Sequence, residues 1–388
     1  MNRKYAIGIC LAVCLIACLG GVFFALSRSG EEEKTRETMK HREGRELSID
    51  ARAEAMLSEM SAAEKIGQLV MIGIRGTEPD DDSLYMLHQY HIGGIVLFDR
   101  NIESKAQIRA FTAELQKRAG ERVPLFIAVD QEGGIVTRGE GVLTAPPSAQ
   151  SIGESGDPAL AEGWARKIGE ELTSLGINVN FAPAADVGTK DTRSYSALAE
   201  DVRNYVLAAA AGYEEAGILC ALKHFPGIGK GQTDSHVDRS EIPAALAELE
   251  AEDMLPFMAV LRETPHDGCM VMVSHLLYPE LDAAHPASQS PYIMTELLRE
   301  RCGYTGIIIT DDVEMGAVSR YDSFRDIGVK SILAGADIVL VCHEYEHETE
   351  VYLGLLGAYE DGRLTEKRLD ESVRRILKSK LTHLQPPA

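Results

Sequence analysis

"GIIITDD", Gly306 to Asp312, runs through three isoleucines and a threonine and stops on two aspartates. β-Branched residues without polar alternation are the mark of a strand buried on both faces, the kind found in parallel sheets. Seven more such runs lie N- and C-terminal to it: "LVMIGI" (69–74), "GGIVLF" (93–98), "LFIAVD" (125–130), "VNFAPAAD" (179–186), "ILCALKHF" (218–225), "CMVMVSH" (269–275) and "ADIVLVC" (336–342). Amphipathic helical stretches separate them, among them 158–175 and 291–301, which implies parallel crossovers. Repeated units of this kind predict an α/β protein built as a single (β/α)₈ barrel. A doubly wound open sheet is the alternative that the pattern leaves, although no GxGxxG follows the first strand.

In such barrels catalytic groups project from the C-terminal ends of the strands. The polar residues of this chain gather there. Asp130 closes the third run, Asp186 follows the fourth, and Lys223 with His224 ends the fifth. Ser274 and His275 close the sixth, Asp311 and Asp312 the seventh. Any one of these is an ordinary strand cap, but five strands in register predict a site.

The chain has 388 residues, 45% hydrophobic and 26% charged, the composition of a globular protein. Its net charge of -21 argues against a nucleic-acid partner and fits a small, uncharged substrate better. At the N-terminus, Arg3 and Lys4 precede a charge-free run from Tyr5 to Ser27, and Glu31 to Glu33 follow it. That run exceeds the roughly 20 residues a bilayer requires, and the flanking charges place the body of the protein outside the cytoplasm. Residues 1–28 therefore read as a membrane anchor, or as a lipoprotein-type signal given "LIAC" at 15–18. Residues 29–48 read as a charged linker, and 49–388 as the barrel. Of seven cysteines, Cys10, Cys14 and Cys18 lie in the leader. Cys220, Cys269, Cys302 and Cys342 are widely spaced, so they are expected as core thiols rather than disulfides or metal ligands. Oligomeric state is left open.

The motifs "EKIGQLV" (64–70), "GGIVLFDRN" (93–101), "VDQEGGIVTR" (129–138), "LGINVNFAPAADV" (175–187), "TRSY" (192–195), "KHFPG" (223–227) with "TDSH" (233–236), and "ITDDVEMGA" (309–317) occur in order. Together they resemble family 3 glycoside hydrolases, in particular single-domain β-N-acetylglucosaminidases of peptidoglycan turnover. The likeness runs from about Ala55 to Leu377. It implies Asp311 as nucleophile, with His236 as proton donor and Asp234 holding its ring. It also implies Asp130, Arg138, Arg193, Lys223 and His224 as sugar-binding residues, with no cofactor. The chemistry is consistent, since a retaining glycosidase needs a carboxylate at the anomeric carbon. An imidazole near its own pKa can give and take the proton.

Two departures stand out. Ile228 replaces the second histidine of the family's "KHFPGHG", and "RSYS" replaces the commoner "RSFG". The glycines of "GIGKG" (227–231) are read as freeing the loop that carries Asp234 and His236. Two other activities are weighed against hydrolysis of terminal β-linked N-acetylglucosamine: a phosphorylase working with the same residues, and a catalytically silent wall-binding protein. A metal-dependent barrel hydrolase is disfavoured, because no HxH ends the first strand.

Overall fold

The computed structural model describes residues 48–120, 122–231, 240–264 and 268–384. Two compact units divide at Arg52, and the second, Ala53–Ala388, holds the barrel. The expected anchor, and the linker as far as residue 47, lie outside the described residues. Among those described, no helix is long and apolar enough to cross a membrane.

All eight apolar runs form strands: β1 (Val70–Gly73), β2 (Gly94–Leu97), β3 (Phe126–Val129), β4 (Val179–Asn180), β5 (Leu219–Phe225) and β6 (Cys269–Val273). A short antiparallel pair follows, β7 (Leu277–Tyr278) with β8 (Asp282–Pro286), before β9 (Ile308–Asp312) and β10 (Ile338–Val341) complete the set. The eight parallel strands close in the order β1–β2–β3–β4–β5–β6–β9–β10, and the seam registers Val70 with Val339. The (β/α)₈ expectation is met. β4 is far shorter than its run, because Pro183 has no N–H to give the ladder, and pairing resumes only at the Ala184–Lys223 bridge.

Helices begin where side chains cap them. Ser104, Ser323 and Thr365 accept from Gln107, Asp326 and Arg368 N–H at the starts of Lys105–Ala119, Phe324–Ala334 and Glu366–His383. The predicted helices at 158–175 and 291–301 are Ala159–Ser174 and the wide, π-type Tyr292–Arg301.

One expectation fails. Cys220 and Cys269 are directly registered on neighbouring strands β5 and β6, 4.8 Å apart at Cα, and form a disulfide. Their separation of 49 residues carried no hint of this, because strand register is set by the fold and not by spacing. Cys302 and Cys342 are free thiols, as expected.

The N-terminal end of the barrel is closed by buried polar groups. Asp337, just before β10, accepts from Ile308 N–H (3.0 Å), Ser372 (2.6 Å), Arg375 (2.9 Å) and Arg299. Lys380 lies over the Phe126 ring and donates to Gln68 Oε1 at 2.7 Å and the Gly93 carbonyl at 2.8 Å.

Candidate active site

At the opposite end, the last residues of β5 carry Lys223 and His224 into a ring of charged groups. Lys223 Nζ lies 2.7 Å from both Asp130 Oδ1, just past β3, and Glu132 Oε1. Burial opposes the lysine's charge, but the two carboxylates outweigh it and lift its pKa above the ordinary lysine value. Glu132 is itself gripped by Arg193, with Oε2 accepting from Nε at 2.9 Å and Oε1 from Nη2 at 2.8 Å. Burial disfavours the Glu132 charge, yet Lys223 and Arg193 hold its pKa well below the carboxylate range.

His224 links this ring to the strand ends on both sides. Its Nδ1 is 2.7 Å from Asp186 Oδ2, and its Nε2 is 3.2 Å from Arg193 Nη2 and 4.0 Å from Asp311 Oδ2. A guanidinium only donates and a carboxylate only accepts, so the ring carries its proton on Nδ1 and offers the Nε2 lone pair to Arg193. Asp186 is buried and takes two further bonds on Oδ1, from the N–H of His224 (3.1 Å) and of Ile228 (2.9 Å). Burial opposes ionisation of Asp186, but His224 and these N–H groups keep its pKa lowered.

The Ile228 contact bears on the departure from the family pattern. What Asp186 takes from position 228 is a backbone N–H, which isoleucine supplies as well as histidine. The loop glycines also have a packing role. A Cβ on Gly229 would lie 1.7 Å from the Val187 carbonyl oxygen, and one on Gly227, whose φ is +123°, would lie 2.8 Å from Asp253 Cβ. Both glycines therefore answer close backbone approach.

Asp311 stands on a bulge. β9 pairs Ile309 with Ile338 and Asp312 with Leu340, so three steps on β9 match two on β10, and Thr310 Oγ1 accepts the Leu340 N–H at 3.0 Å. Bulges of this kind re-aim a side chain out of strand alternation. Asp311 Oδ1 accepts the N–H of Asp312 at 2.9 Å. Burial opposes its ionisation, but that N–H and the Lys223 ammonium help hold its pKa below the ordinary value, so Asp311 is a carboxylate. Asp312 is engaged elsewhere, with Oδ1 accepting Glu314 N–H at 3.1 Å and Oδ2 lying 3.3 Å from His343 Nε2.

Arg138 lies 3.7 Å from Asp130 Oδ2, with its guanidinium over the ring of Phe98, just past β2. Asp312, Glu314 and His343 approach with metal-ligand spacing. The lone pairs of Glu314 are taken, however. Oε2 accepts the N–H of Cys342 (2.9 Å) and His343 (2.5 Å), while Oε1 meets Glu344 N–H (3.2 Å) and His347 Nδ1 (2.6 Å). Glu314 thus clamps the loop after β9 to the loop after β10.

The model of the glycosyl hydrolase family 3 N terminal domain matches residues 61–379. The chain belongs to glycoside hydrolase family 3. It is 34% identical over 337 residues to a beta-hexosaminidase of Stenotrophomonas maltophilia (strain K279a), covering 80% of this chain and 98% of that one. It is 36% identical over 326 residues to beta-hexosaminidase A of Pseudoalteromonas piscicida, covering 76% of this chain but only 54% of the relative's length. Among solved structures, it resembles a glycoside hydrolase family 3 beta-N-acetylglucosaminidase from Paenibacillus sp. str. FPU-7 with a TM-score of 0.81 and 39% identity. That match covers 84% of this chain and 63% of that one.

Within this family 3 barrel, Asp311, Asp130, Arg138, Arg193, Lys223 and His224 meet at one site. Asp234 and His236, the expected acid–base pair, lie outside the described residues. Glu132 has no role in the motif reading, although a glutamate three residues past the end of β3, followed by two glycines, is a visible signal. The sequence marks Asp186 as a strand end and gives it no role. Its partnership with His224 spans 38 positions and had no local signature.

Proposed function

We propose that this chain is a retaining exo-β-N-acetylglucosaminidase that removes terminal β-linked N-acetylglucosamine from peptidoglycan-derived fragments. The observation that carries this reading is the Asp311 carboxylate. It is bulged out of β9, held ionised, and set beside the His224, Arg193, Lys223 and Asp130 cluster, in a chain whose full-length relatives are beta-hexosaminidases.

Asp311 attacks the anomeric carbon and forms a glycosyl ester as the bond to the leaving oxygen breaks, with His236 giving that oxygen its proton. Water then attacks the same carbon. His236 takes the water's proton, the ester bond to Asp311 breaks, and configuration is retained. Asp234 orients the imidazole. Asp130 and Lys223 present an acceptor and donors to the sugar hydroxyls, and Arg193 and His224 complete the pocket. The fixed array disfavours any ligand that leaves these buried groups unpaired.

We place the protein outside the cytoplasm, attached through its N-terminal segment. The Cys220–Cys269 disulfide supports this, because disulfides persist in oxidising compartments. A chromogenic β-N-acetylglucosaminide assayed with intact protein, Asp311→Ala and His236→Ala tests the activity. Wild-type turnover by Asp311→Ala would defeat the mechanism. Release of only the sugar 1-phosphate when phosphate is present would make the enzyme a phosphorylase.

A further inference from the structure

The sixth strand ends in "SH", Ser274 and His275, a pair at the catalytic face that the mechanism above does not use. His275 is almost wholly buried at 1% exposure. Its Nε2 lies 2.9 Å from the carbonyl oxygen of Asp312, and its Nδ1 lies 2.6 Å from Ser288 Oγ. A carbonyl only accepts, so Nε2 carries the proton. Burial pushes the ring's pKa down despite the nearby Asp311, which keeps it neutral. Nδ1 is then an acceptor, and the Ser288 hydroxyl donates to it. Ser288 is fully buried in the short turn Ala287–Gln289, where its own N–H is bonded to the Ser274 carbonyl at 3.0 Å.

The other end of this chain of bonds is the Asp311–Asp312 segment. The bulge at Thr310–Asp311 takes the following peptide out of regular pairing with β10. His275 receives the C=O of Asp312, while the N–H of the same residue binds Asp311 Oδ1 at 2.9 Å. Asp312 is thus held at both its backbone groups, by a neutral histidine on one side and by the reactive carboxylate on the other.

We propose that His275, held by Ser288, is a positioning residue for the reaction: it fixes the Asp312 backbone and, through that residue's N–H, the rotamer of the Asp311 carboxylate. The inference rests on the reading of Asp311 as nucleophile. His275 touches neither the sugar nor the leaving group, so its loss acts on nucleophile placement and not on leaving-group protonation.

The test compares His275→Leu, His275→Gln and Ser288→Ala with wild type and Asp311→Ala. Substrates are a 4-nitrophenyl β-N-acetylglucosaminide and N,N′-diacetylchitobiose, with the inhibition constant of free N-acetylglucosamine and the melting temperature measured alongside. A misplaced reacting group costs about 100-fold. His275→Leu is therefore expected to lose about that factor in kcat on both substrates, with the inhibition constant unchanged. Ser288→Ala, which frees the ring to change tautomer, loses less. His275→Gln, which keeps an N–H donor, recovers part of the loss.

If His275→Leu does not fold, the two milder variants decide, because the proposal requires both to show lower kcat with unchanged inhibitor binding. Wild-type kcat in both, or inhibitor binding that weakens in step with kcat, overturns it. Asp311→Ala separates the two readings. If it is inactive while the His275 and Ser288 variants are fully active, only the positioning role fails. If it is active, the nucleophile assignment fails and takes this proposal with it.

Discussion

Lys223 and Lys380 are buried at opposite ends of this barrel, and they are held in opposite ways. Lys223 sits at the C-terminal end between two carboxylates, which raise its pKa. Lys380 sits at the N-terminal end with an amide oxygen, a carbonyl and an aromatic ring, and burial alone pushes its pKa far down. The first is a charge maintained for use. The second behaves as a long apolar side chain with a hydrogen-bonding tip. Asp337 shows the same closure at the N-terminal end, with both oxygens engaged by protein donors, whereas Asp311 at the other end faces the sugar site. Function and stability are therefore read from opposite ends of one sheet.

Glu132→Gln attacks the C-terminal end hardest. It leaves Lys223 and Arg193 each short of a buried countercharge, so kcat/KM should fall about 100-fold and stability by about 3–5 kcal/mol. Steady-state kinetics and urea unfolding measure the two effects. Asp337→Asn makes the equivalent break at the other end. A stability loss of about 3 kcal/mol is expected there, with the kinetic constants of the folded enzyme unchanged. A kinetic defect as large as that of Glu132→Gln would erase the distinction between the ends.

The sequence showed much of this plan. Eight unalternating runs and the polar residues that end them fixed the barrel and its working face. Six of the candidate residues meet at that face. Pairings across strands were not legible: Cys220 with Cys269, Asp186 with His224 and His275 with Asp312 all depend on register, which closure of the barrel sets and no local spacing records. The glycines of "GIGKG" signal backbone freedom in the sequence, and Gly227 and Gly229 are also required by neighbouring atoms that no local motif reveals. The bulge at Asp311 was also hidden, since "ITDD" reads as regular strand.

Lys380→Met sharpens the contrast with Lys223 through pH. In the folded protein Lys380 titrates well below its ordinary value of 10.5, so the unfolded chain binds the proton more tightly. Wild-type stability should accordingly climb as pH rises from that depressed value towards 10.5. Methionine removes this contribution, so urea unfolding at two alkaline pH values should show a smaller slope in the variant. The variant should also be equal to or more stable than wild type at neutral pH. The smallest effect belongs to Ile228→His. Asp186 takes only the backbone N–H there, so stability should move by no more than about 0.5 kcal/mol and kcat/KM should stay near wild type.

The central claim is that Asp311 is the group that becomes covalently bonded to the sugar. Incubation with a 5-fluoro N-acetylglucosaminyl fluoride, which slows breakdown of the glycosyl-enzyme, followed by proteolysis and mass spectrometry, tests it directly. The account predicts one sugar-bearing peptide with the modification on Asp311. A sugar on any other residue, or an initial product of inverted configuration with no labelled peptide, would contradict it.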